Sequence, residues 1–323
     1  MKAVLCKAWG PPESLVVEDV PSPVAGPGEV LVEVHAAGVN YPDALIIQKK
    51  YQVHPELPFS PGAEVAGIVR AVGEGVKPWK PGDRVIANVP SGGYAQELVA
   101  DAARVVPIPD GMDFPTASAY VLAYGTSLFA LKDRAKLAAG ETLLVLGAAG
   151  GVGTSAIEIG KCLGAKVIAA ASSADKLAYC REHGADETID YTKEDLKERA
   201  KALSGGGVDV VYDPAGGDHT QAALRAMAWE GRLLIVGFAS GAIPKLPANL
   251  VLLKSCQIVG VFWGAFAARD PAKNRAHAER VLGWLAEGKV RPHLDAVLPF
   301  DRAGEALEKL ARREVKGKIV LVP

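Results

Sequence analysis

The chain has 323 residues, 49% hydrophobic and 23% charged, with a formal net charge of −1. That length supports two domains with full cores, and the neutral balance without a Lys/Arg block excludes nucleic acid and anionic membrane as expected partners. No apolar run approaches the roughly 18–20 residues that span a bilayer, and the opening MKAVLCKAWGPPE carries no secretory pattern, so cytoplasm is the expected compartment.

Residues 1–110 read as short strands punctuated by Pro and Gly: Met1–Ala8, Leu15–Asp19, Glu29–Ala37, Glu64–Val72, Arg84–Ala87, Tyr94–Ala100 and Val105–Ile108. In the third of these, Val30, Val32 and Val34 alternate with Leu31, Glu33 and His35, the period of a strand with one buried face. Many short strands with frequent turn residues predict an antiparallel barrel or sandwich. From Pro115 to Leu137 the chain has no Pro beyond the first residue and one Gly, Gly125, which predicts a helical connection.

Between about 140 and 260 strands and helices alternate, which predicts a parallel, doubly wound sheet. Its centre is Glu141–Asp175: a buried strand at Leu143–Leu146, a glycine cluster at Gly147, Gly150, Gly151 and Gly153, a helix with Val152, Ala156, Ile159 and Leu163 on one face, and a strand at Val167–Ala171. Free N–H groups and the positive dipole at the start of such a helix suit a pyrophosphate. Gly150 and Gly153 stand where a side chain would block that approach or the packing of helix on strand, although Ala148 replaces the first glycine of G-x-G-x-x-G. An NAD site carries an acid near the end of the second strand; here Ser172 and Ser173 stand there, with Lys176 one turn on. A hydroxyl and an ammonium suit a 2′-phosphate, so NADPH is favoured over NADH. Ser172 or Ser173, with Asp175, can equally cap the next helix.

The alternation continues through elements at Ala174–His183, Glu187–Tyr191, Lys193–Leu203, Val208–Tyr212, His219–Met227 and Arg232–Phe238. Ile258–Trp263 reads as an apolar edge strand, which invites pairing with its twin and predicts a homodimer. A helix at Pro271–Glu287, a strand at Val297–Phe300, a helix at Arg302–Arg313 and a strand at Lys318–Val322 resemble neither half and are expected to fold back on the first. Cys6, Cys162, Cys180 and Cys256 are scattered, as are the histidines, so neither disulfide nor metal is expected.

PGEVLVEVHAAGVNYPD (27–43), PFSPGAEVAGIVRAVGEGV (58–76), PGDRV (81–85), AAGGVG (148–153), VYDPAGGD (211–218), GRLLIVGFASG (231–241) and GKIVLV (317–322) resemble the medium-chain dehydrogenase/reductases, nearly over the whole chain. The resemblance is to the zinc-free quinone oxidoreductase branch that includes zeta-crystallin. Gly140–Lys161 follows that branch's signature, except that Glu158 stands where Gln is usual. Zinc-dependent relatives place Cys and His where this chain has Asn40–Pro42 and Ala63, so the resemblance implies no metal. It implies an α/β fold: a GroES-like β-barrel catalytic domain (1–123 and 261–323) and a Rossmann domain with a doubly wound parallel sheet (124–260).

The same resemblance implies NADPH in the cleft between the domains, with the nicotinamide near Asn40 and Thr126. Asn40 is expected to hydrogen-bond the carboxamide or ribose, or to shape a turn. Ala149, Gly150, Gly151 and Val152 are expected at the pyrophosphate, Ser172, Lys176 and Tyr191 at the 2′-phosphate, and Gly237, Phe238, Phe262 and Lys318 elsewhere along the cofactor. Tyr51 is the candidate to contact substrate or to donate a hydrogen bond to its oxygen. The implied reaction is hydride transfer from NADPH to a quinone or another α,β-unsaturated carbonyl compound. The alternatives are an enoyl-thioester reductase and a non-enzymatic NADPH-binding protein.

Overall fold

The valines that alternate at 30, 32 and 34 are all buried in the longest strand of the molecule. Each fully buried valine contributes about 1.5–3 kcal/mol of transfer free energy, so a slip of one residue would lose that whole row to solvent. A computed structural model describes all residues, Met1–Pro323. Two compact units are present: Met1–Leu122 with Pro292–Pro323, and Ala123–Arg291.

In chain order the first segment contributes strands β1 (Lys2–Leu5), β2 (Val16–Asp19) and β3 (Glu29–Val39), helix α1 (Tyr41–Ile46), and strands β4 (Glu64–Val72), β5 (Arg84–Asn88), β6 (Glu97–Asp101) and β7 (Val105–Pro107). Helices α2 (Phe114–Ala117) and α3 (Val121–Leu128) follow. The second unit runs β8 (Thr142–Val145), α4 (Gly151–Cys162), β9 (Lys166–Ala171), α5 (Ala174–Glu182), β10 (Glu187–Asp190), α6 (Leu196–Ser204), β11 (Val208–Asp213), α7 (Asp218–Ala226) and β12 (Met227–Ile235). It continues with α8 (Ala248–Lys254), β13 (Gln257–Gly260), α9 (Trp263–Arg269) and α10 (Pro271–Ala286). The chain then returns to the first unit with β14 (Leu294–Pro299), α11 (Ala303–Ala311) and β15 (Lys318–Val322).

The sheet of the first unit has the order β14-β15-β3-β4-β5-β7. One edge of β3 is taken by β4, and the other is divided between β6 at Glu29–Glu33 and β15 at Ala37–Val39. The pairings are antiparallel except β14 with β15. The tail therefore folds back on the first unit and brings Lys318 beside the end of β3.

The second unit has a six-stranded, all-parallel sheet in the order β10-β9-β8-β11-β12-β13. In order of appearance this is 3-2-1-4-5-6, so the chain reverses direction of travel between β8 and β11. Ligands of open sheets bind at the carboxyl edge of such a switch point. Leu143, Leu144 and Val145 are wholly buried, as strands covered on both faces must be.

The helical connection expected over 115–137 is broken. Asp113 caps α2 by accepting the Thr116 N–H at 2.7 Å. The Leu122 N–H, in the first turn of α3, bonds Glu64 Oε2 at 2.8 Å. Phe129–Arg134 then winds as a π-helical turn. The boundary expected at 261 also differs, because 261–291 groups with the second unit. Phe266 of α9 stacks on Phe129 with centroids 4.2 Å apart, and an added Cβ at Gly125 would lie 2.9 Å from the Trp263 indole. The Arg291 N–H is held by the Glu158 carboxylate at 3.1 Å. Helices α1, α8 and α9 carried no periodic signal long enough to be expected.

Candidate active site

The loop between β8 and α4 shows why Ala148 can stand where a glycine is usual. The tight turn is made one residue earlier, by Gly147 at φ 55°, while Ala148 is buried and its N–H bonds the Ala170 carbonyl at 3.1 Å. Gly153 cannot be replaced so easily, since a Cβ there would run into the Gly147 and Ala148 carbonyls. At Gly150 an added Cβ would meet only the Gly147 carbonyl, at 3.6 Å. Gly150 is also the N-cap of α4, and no side chain caps that helix. The N–H groups of Gly151 and Val152 thus remain for an anion, with buried Ala149 completing the turn.

At the end of β9, Ser173 is the residue that caps α5; its hydroxyl accepts the Lys176 N–H at 3.3 Å. The capping alternative is therefore settled at Ser173, and the Ser172 hydroxyl is not used for it. Lys176 sits in the first turn of α5. Tyr191 follows β10, with its N–H on the Ala171 carbonyl at 3.3 Å, next to Ser172. Gly237 and Phe238 follow β12, where Asp213 C=O accepts the N–H groups of Val236 (2.9 Å) and Gly237 (3.3 Å). Phe262 follows β13 with 54% of its surface exposed. All of these residues lie at the carboxyl edge of one sheet. Thr126 lies on α3, buried, beside Ser127, whose hydroxyl bonds Val152 O, Ser155 Oγ and Tyr212 Oη at 3.1, 2.8 and 2.9 Å.

Glu158, the departure from the usual Gln, is 4% exposed on α4. It accepts from Tyr124 Oη at 2.5 Å and from the Arg291 N–H, and it pairs with His183 Nδ1 at 2.7 Å. An amide there would present its NH2 to one of these donors, whereas a carboxylate serves them all.

The first unit holds a second constellation. Gly38 pairs directly with Glu64 across β3 and β4, and any Cβ at 38 would strike the Ser118 carbonyl and the Glu64 side chain. Glu64 is wholly buried, and its Oε1 accepts from Lys318 Nζ at 2.6 Å and from Asn40 Nδ2 at 3.0 Å. Lys318 Nζ also donates to Asn40 Oδ1 at 2.6 Å. An ammonium only donates, which fixes the amide orientation. The second Asn40 N–H goes to Gly38 O at 3.2 Å, so both amide donors are spent inside the protein. Asn40 is also the N-cap of α1, where its side chain and that of Asp43 form a capping box, so its amide is committed within the protein on both its donor and its acceptor side. Lys318, expected to reach toward a cofactor, is likewise 6% exposed and committed to Asn40 and Glu64.

Asp43, which local reasoning passed over, accepts the Asn40 N–H and the Tyr94 hydroxyl, both at 2.8 Å. Burial pushes its carboxyl up to about 6, against the pull of these two donors and of Lys318. Tyr51 packs half-buried against the same core, and its hydroxyl makes no hydrogen bond within the protein. Burial, and next the Asp43 charge, push its phenol up, so at neutral pH it remains an O–H donor.

Residues 26–110 match the family described as the alcohol dehydrogenase GroES-like domain, and 151–280 match that described as zinc-binding dehydrogenase. The quinone oxidoreductase-like protein 2 homolog of Nematostella vectensis is 40% identical over 99% of this chain and 88% of its own length. The chain belongs to the quinone oxidoreductase branch of the medium-chain dehydrogenase/reductases. A probable oxidoreductase from Mycobacterium abscessus superposes with a TM-score of 0.90 at 40% identity, over 100% of this chain and 99% of the other. The Escherichia coli quinone oxidoreductase, solved in complex with NADPH, superposes at 0.92 with 29% identity over the whole of both chains. A GroES-like unit and a Rossmann unit are thus the fold of this oxidoreductase, and no helix is long and apolar enough to cross a membrane.

Proposed function

We propose that the protein is an NADPH-dependent reductase that passes hydride to a quinone or another α,β-unsaturated carbonyl compound without zinc. The observation that carries this reading is the end of β9, where Ser172 stands in place of an acid and Lys176 sits one turn on, in a sheet whose first helix, α4, starts with no side-chain cap. The open side of Gly150 is the cradle that a pyrophosphate needs.

Bound NADPH supplies the hydride. The chain's own residues supply binding and orientation. Gly151 and Val152 N–H groups hold the pyrophosphate, with Ala149 and Gly150 leaving room for it. The Ser172 hydroxyl, Lys176 ammonium and Tyr191 ring hold the 2′-phosphate end. Gly237, Phe238, Phe262 and Thr126 line the rest of the cofactor path. Asn40, locked by Lys318 and by the capping box of α1, offers a fixed polar wall. The Tyr51 O–H donates to the substrate oxygen that gains negative charge as hydride reaches carbon.

Zinc does not fit the donor set. Asn40 Oδ1 and Glu64 Oε1 converge on the Lys318 ammonium, 2.6 Å from each, and neither Cys nor His completes a tetrahedral set around them. A divalent cation would have to displace that ammonium. A homodimer is supported by exposed Ile258 on edge strand β13 and by exposed Leu252 and Leu253 on α8 before it. Four free cysteines accord with a reducing cytoplasm.

The test is NADPH consumption with ortho- and para-quinones, enones and enoyl-CoA thioesters. Turnover with quinones or enones supports the proposal. Turnover with the thioester alone would transfer the protein to the enoyl-thioester reductases.

A further inference from the structure

We infer that His219 is a positioning residue for NADPH selection: its ring is the shelf that holds Tyr191 at the 2′-phosphate. The inference rests on the proposed assignment of Ser172, Lys176 and Tyr191 to that phosphate. It concerns a residue on a different segment, 28 positions from Tyr191 in sequence.

The position of His219 is fixed by the turn after β11. Asp213 is 1% exposed, and its Oδ1 accepts the N–H groups of Ala215 (2.9 Å) and Gly216 (2.8 Å). Its Oδ2 accepts the hydroxyl of Thr220, which is wholly buried, at 2.5 Å. Gly217, at φ 70°, bonds the Ala242 carbonyl through its N–H at 3.0 Å and starts α7. With Thr220 anchored on one side and Gly217 on the other, the His219 backbone has little freedom. Its ring meets the Tyr191 ring with centroids 4.3 Å apart, tilted by 41°. Without it, one face of a half-buried tyrosine at a strand end would be open, and the ring would sample more rotamers. Ordering that ring in advance lowers the entropic cost of engaging a phosphate oxygen.

The test measures dissociation constants of NADPH and NADH, by quenching of intrinsic fluorescence, for the wild-type full chain, His219→Ala and His219→Phe. The structure predicts that His219→Ala weakens NADPH binding by about three- to tenfold, the range of one lost aromatic pair. NADH binding should stay within about twofold. His219→Phe, which keeps a ring on the shelf, should restore most of the preference. Equal loss for both dinucleotides in His219→Ala, an unchanged ratio, or failure of His219→Phe to restore it would each overturn the inference. Equal affinities already in the wild type would instead overturn the 2′-phosphate assignment beneath it, and the inference with it.

Discussion

Lys318 Nζ stands 2.6 Å from Asn40 Oδ1 across 278 residues of sequence, and 2.6 Å from Glu64 Oε1. This triad joins the end of β3 to β4 and β15, three neighbouring strands of the first unit's sheet. Because Glu64 and Lys318 are 0% and 6% exposed, removing one partner strands a buried charge. Lys318→Met is expected to cost about 3–5 kcal/mol, and Glu64→Gln in the same chain to recover much of it. Chemical denaturation checks both variants. A loss below about 1 kcal/mol for the single change would mean that the pair behaves like an exposed one.

Asp43 predicts a pH dependence. Its carboxyl rises from 3.8 in the unfolded chain to about 6 in the folded one, so the folded state binds the proton more tightly. Its stabilising contribution is therefore complete below the unfolded value and is lost as pH rises through about 6. Wild-type stability relative to Asp43→Asn should increase by about 1 kcal/mol between pH 7 and pH 5. A difference that stays flat over this range would show that Asp43 is not a buried carboxylate of raised pKa.

Gly150 and Gly153 should separate binding from folding. Gly153→Ala drives a methyl into two backbone carbonyls and is expected to cost about 1–3 kcal/mol of stability. Gly150→Ala, at φ −80° and with ordinary contact only, should leave stability within about 1 kcal/mol while weakening NADPH binding. Thermal melts with and without NADPH check the contrast. Equal melting losses in the two variants would contradict it.

The second unit was largely legible in the sequence, because its glycine turn, its strands and the serines and Lys176 after β9 are each local patterns. Gly150, Ser172 and Lys176 all sit where strand ends and helix starts put them. The first unit was legible as strands but not as a site. The link of Asn40 to Lys318 spans nearly the whole chain, and no spacing rule reports it. Asn40 consequently read as a free hydrogen-bonding group, whereas both its donors are spent on Glu64 and Gly38. Asp43 and His219 were missed for the same reason, since Tyr94 and Tyr191 reach them only through tertiary packing. The grouping of 261–291 with the second unit, rather than a boundary at 261, follows contacts such as the stacking of Phe266 on Phe129, which leave no periodic trace.

The exposed apolar side chains around β13 predict self-association. Leu253→Glu, on a side chain 68% exposed, should leave the fold intact and shift a dimer toward monomer in sedimentation velocity at micromolar concentration. A wild-type chain that sediments only as monomer would contradict the homodimer.

The most direct test of the account compares kcat/KM for NADPH and NADH with one para-quinone as acceptor. An ammonium and a hydroxyl on a 2′-phosphate predict a preference for NADPH of about tenfold or more. Lys176→Ala should reduce that preference while leaving turnover with NADH unchanged. Equal rates with NADH and NADPH, or a preference that survives Lys176→Ala intact, would contradict it.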